Sequence, residues 1–203
     1  IVFGDWSSDV CSSDLTTWPA SGPKQLWTAK VGIGFASFAV SQGRVFTVGN
    51  TKDTDTIFCF DANTGAEVWK HAYPSALDPK YYEGGPSATP TVDGNRVYTL
   101  SKRGVIHCLD AASGKVIWTK NLMEELKAEM PTWGFASSVL IEGNLAIVNV
   151  GAAGAALDKQ SGTVIWSSGS DPAGYSTAVP FKAGGEAAVA MAIKQDVVAL
   201  RHT

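Results

Sequence analysis

The chain has 203 residues, 45% of them apolar, with 16 basic against 19 acidic side chains and a net charge of -3. That length supports one ordinary domain with a real core, and the near-neutral balance lacks the basic excess of a nucleic-acid binder. No apolar run reaches the roughly 18 residues of a membrane-spanning helix, and three scattered histidines and three scattered cysteines argue against a metal cluster.

Residues 1–15 come first and stand apart. Asp5–Leu15 is a Ser/Asp-rich string with no hydrophobic face, and it back-translates into the end of a common sequencing-adapter oligonucleotide. We set 1–15 aside as an artefact and take 16–203 as the domain. Three aspartates leave with the string, so the domain carries 16 acids against 16 bases and two cysteines.

A repeat organises the domain. Asp61-Ala-Asn-Thr64-Gly65-Ala-Glu-Val-Trp69, Asp110-Ala-Ala-Ser113-Gly114-Lys-Val-Ile-Trp118 and Asp158-Lys-Gln-Ser161-Gly162-Thr-Val-Ile-Trp166 share one pattern, their aspartates 49 and 48 residues apart. Gln25-Leu26-Trp27, 42 residues before Trp69, reads as the last strand of a preceding unit. Gly34-Phe35-Ala36-Ser37 recurs as Gly134-Phe135-Ala136-Ser137 two periods later.

Within each period, short β-branched runs are punctuated by turn residues, as in antiparallel strands. The first unit turns at Ser41-Gln42-Gly43. In the second, Ala88–Val92, Arg96–Leu100, Val105–Leu109 and Lys115–Thr119 are strands, with Asp93-Gly94-Asn95 and Ser101–Gly104 as turns. The third turns at Glu142-Gly143-Asn144. A fourth supplies Tyr175–Phe181, Ala187–Ala192 and Val197–Leu200, with Arg201 in the place expected for its aspartate. Four-stranded units that cannot bury both faces alone must stack, and radial stacking protects their edges. The fold is therefore all-β: a partial propeller of four-stranded antiparallel blades, about three and a half present of seven or eight. An open β-solenoid or sandwich is the alternative.

Each corner has a mechanical reading. The aspartate accepts from backbone N–H groups two or three residues on, the Thr or Ser hydroxyl reinforces the turn, and the glycine takes positive φ. Trp27, Trp69, Trp118 and Trp166 are expected to pack between sheets, each keeping an acceptor for its indole N–H. Cys59 and Cys108, each two residues before an aspartate, read as small core residues of different blades. His107 reads as a structural or solvent-facing side chain of its strand, and His71 and His202 share no metal-like spacing with it.

Two insertions interrupt the repeat. Lys70–Pro86, including His71-Ala72-Tyr73-Pro74, reads as an ordered loop. Lys120–Trp133 reads as a helix capped by Asn121 and Glu124, apolar on Leu122, Met123, Leu126 and Met130, and stopped by Pro131. Long loops on a repeat scaffold carry recognition, so Tyr81, Tyr82 and Trp133 are the candidate recognition residues, with packing over the propeller edge as the competing reading. Gly32-Ile33-Gly34 lacks the helix of a dinucleotide fingerprint, and no phosphate-binding loop motif occurs.

The three Asp-to-Trp segments resemble the repeat of pyrroloquinoline quinone (PQQ)-like propellers across 16–203. More narrowly, Leu26-Trp27, Thr89–Gly94, Met130–Gly134 and Asp171–Ser176 resemble bacterial PQQ-binding-like proteins labelled after the outer-membrane assembly lipoprotein. The resemblance implies a periplasmic or envelope setting and a noncatalytic propeller that binds a protein or a small ligand. Quinoprotein dehydrogenases share the repeat, so a PQQ- and calcium-dependent alcohol or sugar dehydrogenase is one alternative and a carbohydrate-binding propeller another. Those dehydrogenases add vicinal cysteines, a catalytic aspartate and calcium ligands. No two cysteines here are adjacent, and Asp61, Asp110 and Asp158 correspond to turn caps. No catalytic residue or metal ligand is assigned, and no cofactor is expected outside the dehydrogenase alternative.

Overall fold

The computed structural model describes residues 19–80 and 82–201, so the adapter-like string 1–15, Tyr81 and His202 lie outside it. Among the described residues, fifteen strands form four antiparallel sheets, each a meander in chain order. The first holds β1 (Ala39–Ser41), β2 (Arg44–Asn50), β3 (Thr54–Asp61) and β4 (Glu67–Pro74). The second holds β5 (Thr91–Asp93), β6 (Arg96–Leu100), β7 (Val105–Asp110) and β8 (Val116–Asn121). The third holds β9 (Leu140–Glu142), β10 (Leu145–Val148), β11 (Ala155–Asp158) and β12 (Val164–Ser167). The fourth has three strands: β13 (Val179–Ala183), β14 (Glu186–Ala192) and β15 (Val197–Arg201).

The sheets are the blades of a partial propeller. Strand alternation sends one set of side chains to each neighbour, so every core lies between two sheets. Phe46, Val48, Ile57, Cys59 and Trp69 of the first blade meet Val97 and Leu109 of the second. Tyr98, Leu100, Ile106, Cys108 and Trp118 of the second meet Ala146, Val148, Ala155 and Leu157 of the third. Leu140, Ile147 and Ala156 meet Val189 and Met191 of the fourth. Cys59 and Cys108 are free, buried, and in different cores.

Near the axis, where β1, β5 and β9 adjoin, a relay of backbone donors and hydroxyls crosses each interface. Ser37 N–H donates to Thr89 Oγ1 (3.1 Å), Thr89 N–H to Ser138 Oγ (3.0 Å), and Ser138 N–H to Thr177 Oγ1 (2.9 Å). The two Gly-Phe-Ala-Ser strings differ in phase against this frame. Ser37 stands four residues before the end of β1 and Ser137 five before the end of β9, so Phe35 is exposed and Phe135 buried.

Two inner strands begin later than the sequence reading has them, β5 at Thr91 rather than Ala88 and β13 at Val179 rather than Tyr175, and three further elements differ from it. His71–Pro74 is strand, not loop, because β3 starts early and the ladder runs on through Ile57↔His71, Thr56↔Ala72, Asp55↔Tyr73 and Thr54↔Pro74. The helix of the second insertion is one turn, α1 (Leu122–Glu125), capped by the Asn121 side chain accepting from Glu124 N–H. Lys127 takes a φ of 52°, and Glu129 N–H donates to Ser170 O at 2.7 Å, so tertiary contact draws the chain out of helix before Met130. Arg201 does not hold the aspartate position. It faces Ala188, as Cys59 faces Phe46, so the fourth corner falls at 203, outside the described residues.

Candidate functional site: a repeated rim and an aromatic loop face

Two regions carry the side chains that the sequence singles out. The first is the outer rim. In each corner one carboxylate oxygen is surrounded by its own turn: Asp61 Oδ1 accepts from Thr64 N–H (2.9 Å), Thr64 Oγ1 (2.8 Å) and Asn63 N–H (3.1 Å). Asp110 accepts from Ser113 N–H and Oγ, and Asp158 from Ser161 N–H and Oγ, all at 2.7 to 2.8 Å. These bonds, with the hydroxyl donor foremost, hold all three carboxyls below their ordinary range.

The preceding blade's tryptophan then seats on the corner. Trp27, Trp69 and Trp118 donate Nε1–H to Ala62 O (2.9 Å), Ala111 O (3.0 Å) and Lys159 O (3.2 Å). A Cβ on Gly65, Gly114 or Gly162 would stand 2.6 to 2.7 Å from those rings. Each glycine is therefore required twice, by a φ of 71 to 74° and by the indole lying where a side chain would go. Arg44 and Arg96, both opening a second strand, donate to the same carbonyls, Ala111 O at 2.6 Å and Lys159 O at 3.1 Å. Trp166 packs partly buried against the third interface.

The second region is the face carrying the interblade loops. Tyr82 donates its hydroxyl to Trp133 O at 3.2 Å, and Lys80 Nζ donates to Thr132 O at 3.3 Å, so the two insertions meet. The Tyr82 ring packs edge-on against Phe35 with centroids 5.3 Å apart, and Trp133 packs against Tyr175 at 5.5 Å. Phe35 is 55% exposed, Trp133 47% and Tyr175 41%, so the four rings form one open arc. A groove of about 480 Å³ adjoins it, lined by Met130, Pro131, Tyr175, Ile193 and Lys194 among others.

A buried cation supports the arc from below. Lys102 donates Nζ to Asp78 O (2.9 Å) and Leu77 O (3.2 Å), and stands 5.3 Å from the Tyr82 centroid. Desolvation lowers its pKa, opposed by Asp78. Burial, with Asp78 and Tyr175 nearby, raises that of Tyr82. Phe35 and Tyr175 escaped the sequence reading. Both follow a glycine ahead of an inner strand, but so does the buried Phe135, so that signal does not separate exposed rings from core ones.

Between the first two blades lies a buried polar cluster. Asn50 Nδ2 donates to Asp55 Oδ1 (2.7 Å) and Ser75 O (2.8 Å). Burial raises the pKa of Asp55. His107 stacks on Tyr73 with centroids 4.3 Å apart, edge-on to His71 at 5.5 Å. Burial, with His71 beside it, lowers its pKa to about 4, so of its two sequence readings the structural one describes its place.

The family model described as outer membrane protein assembly factor BamB matches residues 16–85 and 54–203. The chain belongs to that family. Among solved structures, the chain is similar to a europium-containing methanol dehydrogenase (14% identity, TM-score 0.56, 76% of this chain and 37% of that one). It is also similar to the computationally designed Ika4 protein (16%, TM-score 0.56, 87% and 95%) and, more distantly, to BamB from Moraxella catarrhalis (19%, TM-score 0.44, 87% and 61%). The chain spans less than half of the first solved chains it matches, and these likenesses bear on fold alone. A search of the curated proteins finds no significant match. Among the described residues, no helix is long and apolar enough to cross a membrane.

Proposed function

We propose that this chain is part of a noncatalytic, exported propeller whose loop face binds a protein partner in the cell envelope. The observation that carries this reading is the open arc of Phe35, Tyr82, Trp133 and Tyr175, fixed by loop-to-loop hydrogen bonds and a buried lysine. Exposed aromatics on a rigid support are the side chains that dominate protein interfaces, because they bury large area at small entropic cost. On the rim, by contrast, one oxygen of each corner aspartate is engaged by its own turn and the indoles of Trp27, Trp69 and Trp118 by backbone carbonyls. Family membership supports the envelope setting.

The dehydrogenase reading asks for donors that these residues do not fit. Cys59 and Cys108 are buried in separate cores, Asp61, Asp110 and Asp158 lie exposed with one oxygen each held by its own turn, and Asp55 is bound to Asn50 between blades. None of them faces a shared space with another. Stoichiometric PQQ uptake with calcium, together with dye-linked alcohol oxidation, would establish that alternative.

The test is site-specific photocrosslinking from position 133 in envelope extracts, with position 117 on the rim as control. One partner band is expected from 133 and none from 117, reduced by Tyr82→Ala and Tyr175→Ala. Equal labelling from both positions would sink the proposal.

A further inference from the structure

We propose that a crevice between the first two blades, at the corner end of their sheets, binds a small carboxylate carrying a short apolar tail. Equivalent places at the first and second interfaces are filled differently, and the difference leaves the site. At the second interface Lys159, next to the corner aspartate of the third blade, reaches across to Asp93 at the end of β5, with Nζ 2.8 Å from Oδ2. Tyr98 adds its hydroxyl, donating to Lys159 O at 3.1 Å. At the first interface Ser41 takes the place of Asp93 and Phe46 that of Tyr98, because Ser41 faces Arg44 and Ala39 faces Phe46 as Asp93 faces Arg96 and Thr91 faces Tyr98. Ala111 takes the place of Lys159: its N–H donates to Asn95 O as that of Lys159 does to Asn144 O, both at 2.9 Å. The ion pair and the phenol hydroxyl are thus replaced by Ser, Ala and Phe, and a crevice of about 140 Å³ opens there.

The lining that remains has two chemical halves. Phe46, Val92 and Ala111 form an apolar wall, and Arg44 is the one charged side chain among the described residues that line the crevice. Arg96, its counterpart at the second interface, donates to both Lys159 O and Gln160 O at 3.1 Å. Among the described residues Arg44 donates only to Ala111 O and forms no ion pair. A guanidinium carries five N–H donors in a planar fork, so Arg44 keeps donors for a carboxylate. Asp110, in whose lowered pKa Arg44 has a small share, is engaged by Ser113 in its own turn and does not line the crevice. An inorganic anion would answer the charge and leave the wall wet, and a neutral apolar molecule would do the reverse. A short-chain carboxylate answers both. The crevice lies at the end of the sheets away from the loop face, so this site stands or falls independently of partner binding there.

The test is titration of butyrate into the full 203-residue chain at constant ionic strength, followed by amide NMR shifts. Saturable shifts are expected at Ser41, Gln42 and Asn95, with a Kd on the order of 1 mM. Butyramide, which keeps the shape without the charge, and inorganic phosphate, which keeps the charge without the tail, should each bind at least about tenfold more weakly. Arg44→Gln should weaken butyrate about tenfold. Ser41→Asp with Ala111→Lys, which rebuilds the ion pair of the second interface, should abolish binding and leave circular dichroism unchanged. No saturable shift with butyrate, butyramide binding as tightly as butyrate, or undiminished binding in a folded double variant would each overturn the site. If phosphate matches butyrate, the crevice selects for charge alone and the assignment of a tailed carboxylate falls.

Discussion

The rim and the loop face are built from similar residues to opposite effect. On the rim, Trp69 and Trp118 are buried and Trp27 half-buried, each over a glycine with its indole N–H satisfied, and the arrangement recurs at every described corner. On the loop face, Trp133 and its neighbours are more open, their support comes from unlike loops, and among the described residues nothing in the other blades repeats it. Repetition marks what stacking needs of every blade, and its absence marks what one surface needs once.

The rim side of that contrast is sharpest at Gly114. Gly114→Val imposes both a strained φ and a Cβ within 2.6 Å of the Trp69 ring, and about 4 kcal/mol of destabilisation is expected. Gly94→Ala is the control: its φ is also positive, at 58°, but nothing lies within 4 Å, so about 1 kcal/mol is expected. Urea midpoints measure both. Equal losses would mean that backbone strain alone, and not the indole seat, fixes the corner glycine.

That seat also bounds what the sequence reveals. Strands and Asp-x-x-Thr/Ser-Gly turns are local patterns, so β6, β7 and the three corners can be read directly from them. The reason for a glycine can be 45 residues away, as Trp69 is from Gly114, and no local pattern shows it. The same non-locality explains β4 and α1. His71–Pro74 is strand because it pairs with a β3 that begins at Thr54, and past the single helical turn the chain turns at Lys127 and ties Glu129 N–H to Ser170 O. On the loop face, Tyr82 and Trp133 are visible as aromatics in insertions, but their joining through Phe35 and Tyr175 depends on two other blades.

The interface beneath the loop face is predicted to respond to acid. His107 has a folded pKa of about 4 against an ordinary 6.5, so the unfolded chain takes up the proton first as pH falls. Its contribution is complete above pH 6.5 and lost between 6.5 and about 4. Asp55, with a raised pKa, acts with the opposite sign, being favoured at low pH and losing its contribution as pH rises through its folded value. His71, shifted down by burial, acts with His107. Between pH 7 and 4.5 a loss of roughly 2 kcal/mol is expected from His107, and His107→Gln should remove it. If the substituted chain shows the same loss between pH 7 and 4.5, His107 is not its source; nor are the corner aspartates, whose lowered pKa values withdraw their stabilisation only below the ordinary carboxylate range.

The smallest expected stability effect decides between recognition and packing. Trp118→Ala empties a buried seat and removes one of the donors to Lys159 O, and about 3 to 5 kcal/mol should be lost. Trp133→Ala removes a half-open ring whose described polar links run through its backbone carbonyl, and less than about 1 kcal/mol should be lost. The two substitutions should rank the other way in partner recovery, because a side chain that contributes little to folding is free to contribute to binding. If Trp133→Ala costs as much stability as Trp118→Ala, the arc is a further seam of the propeller, and the contrast between rim and face fails at the residue that carries it.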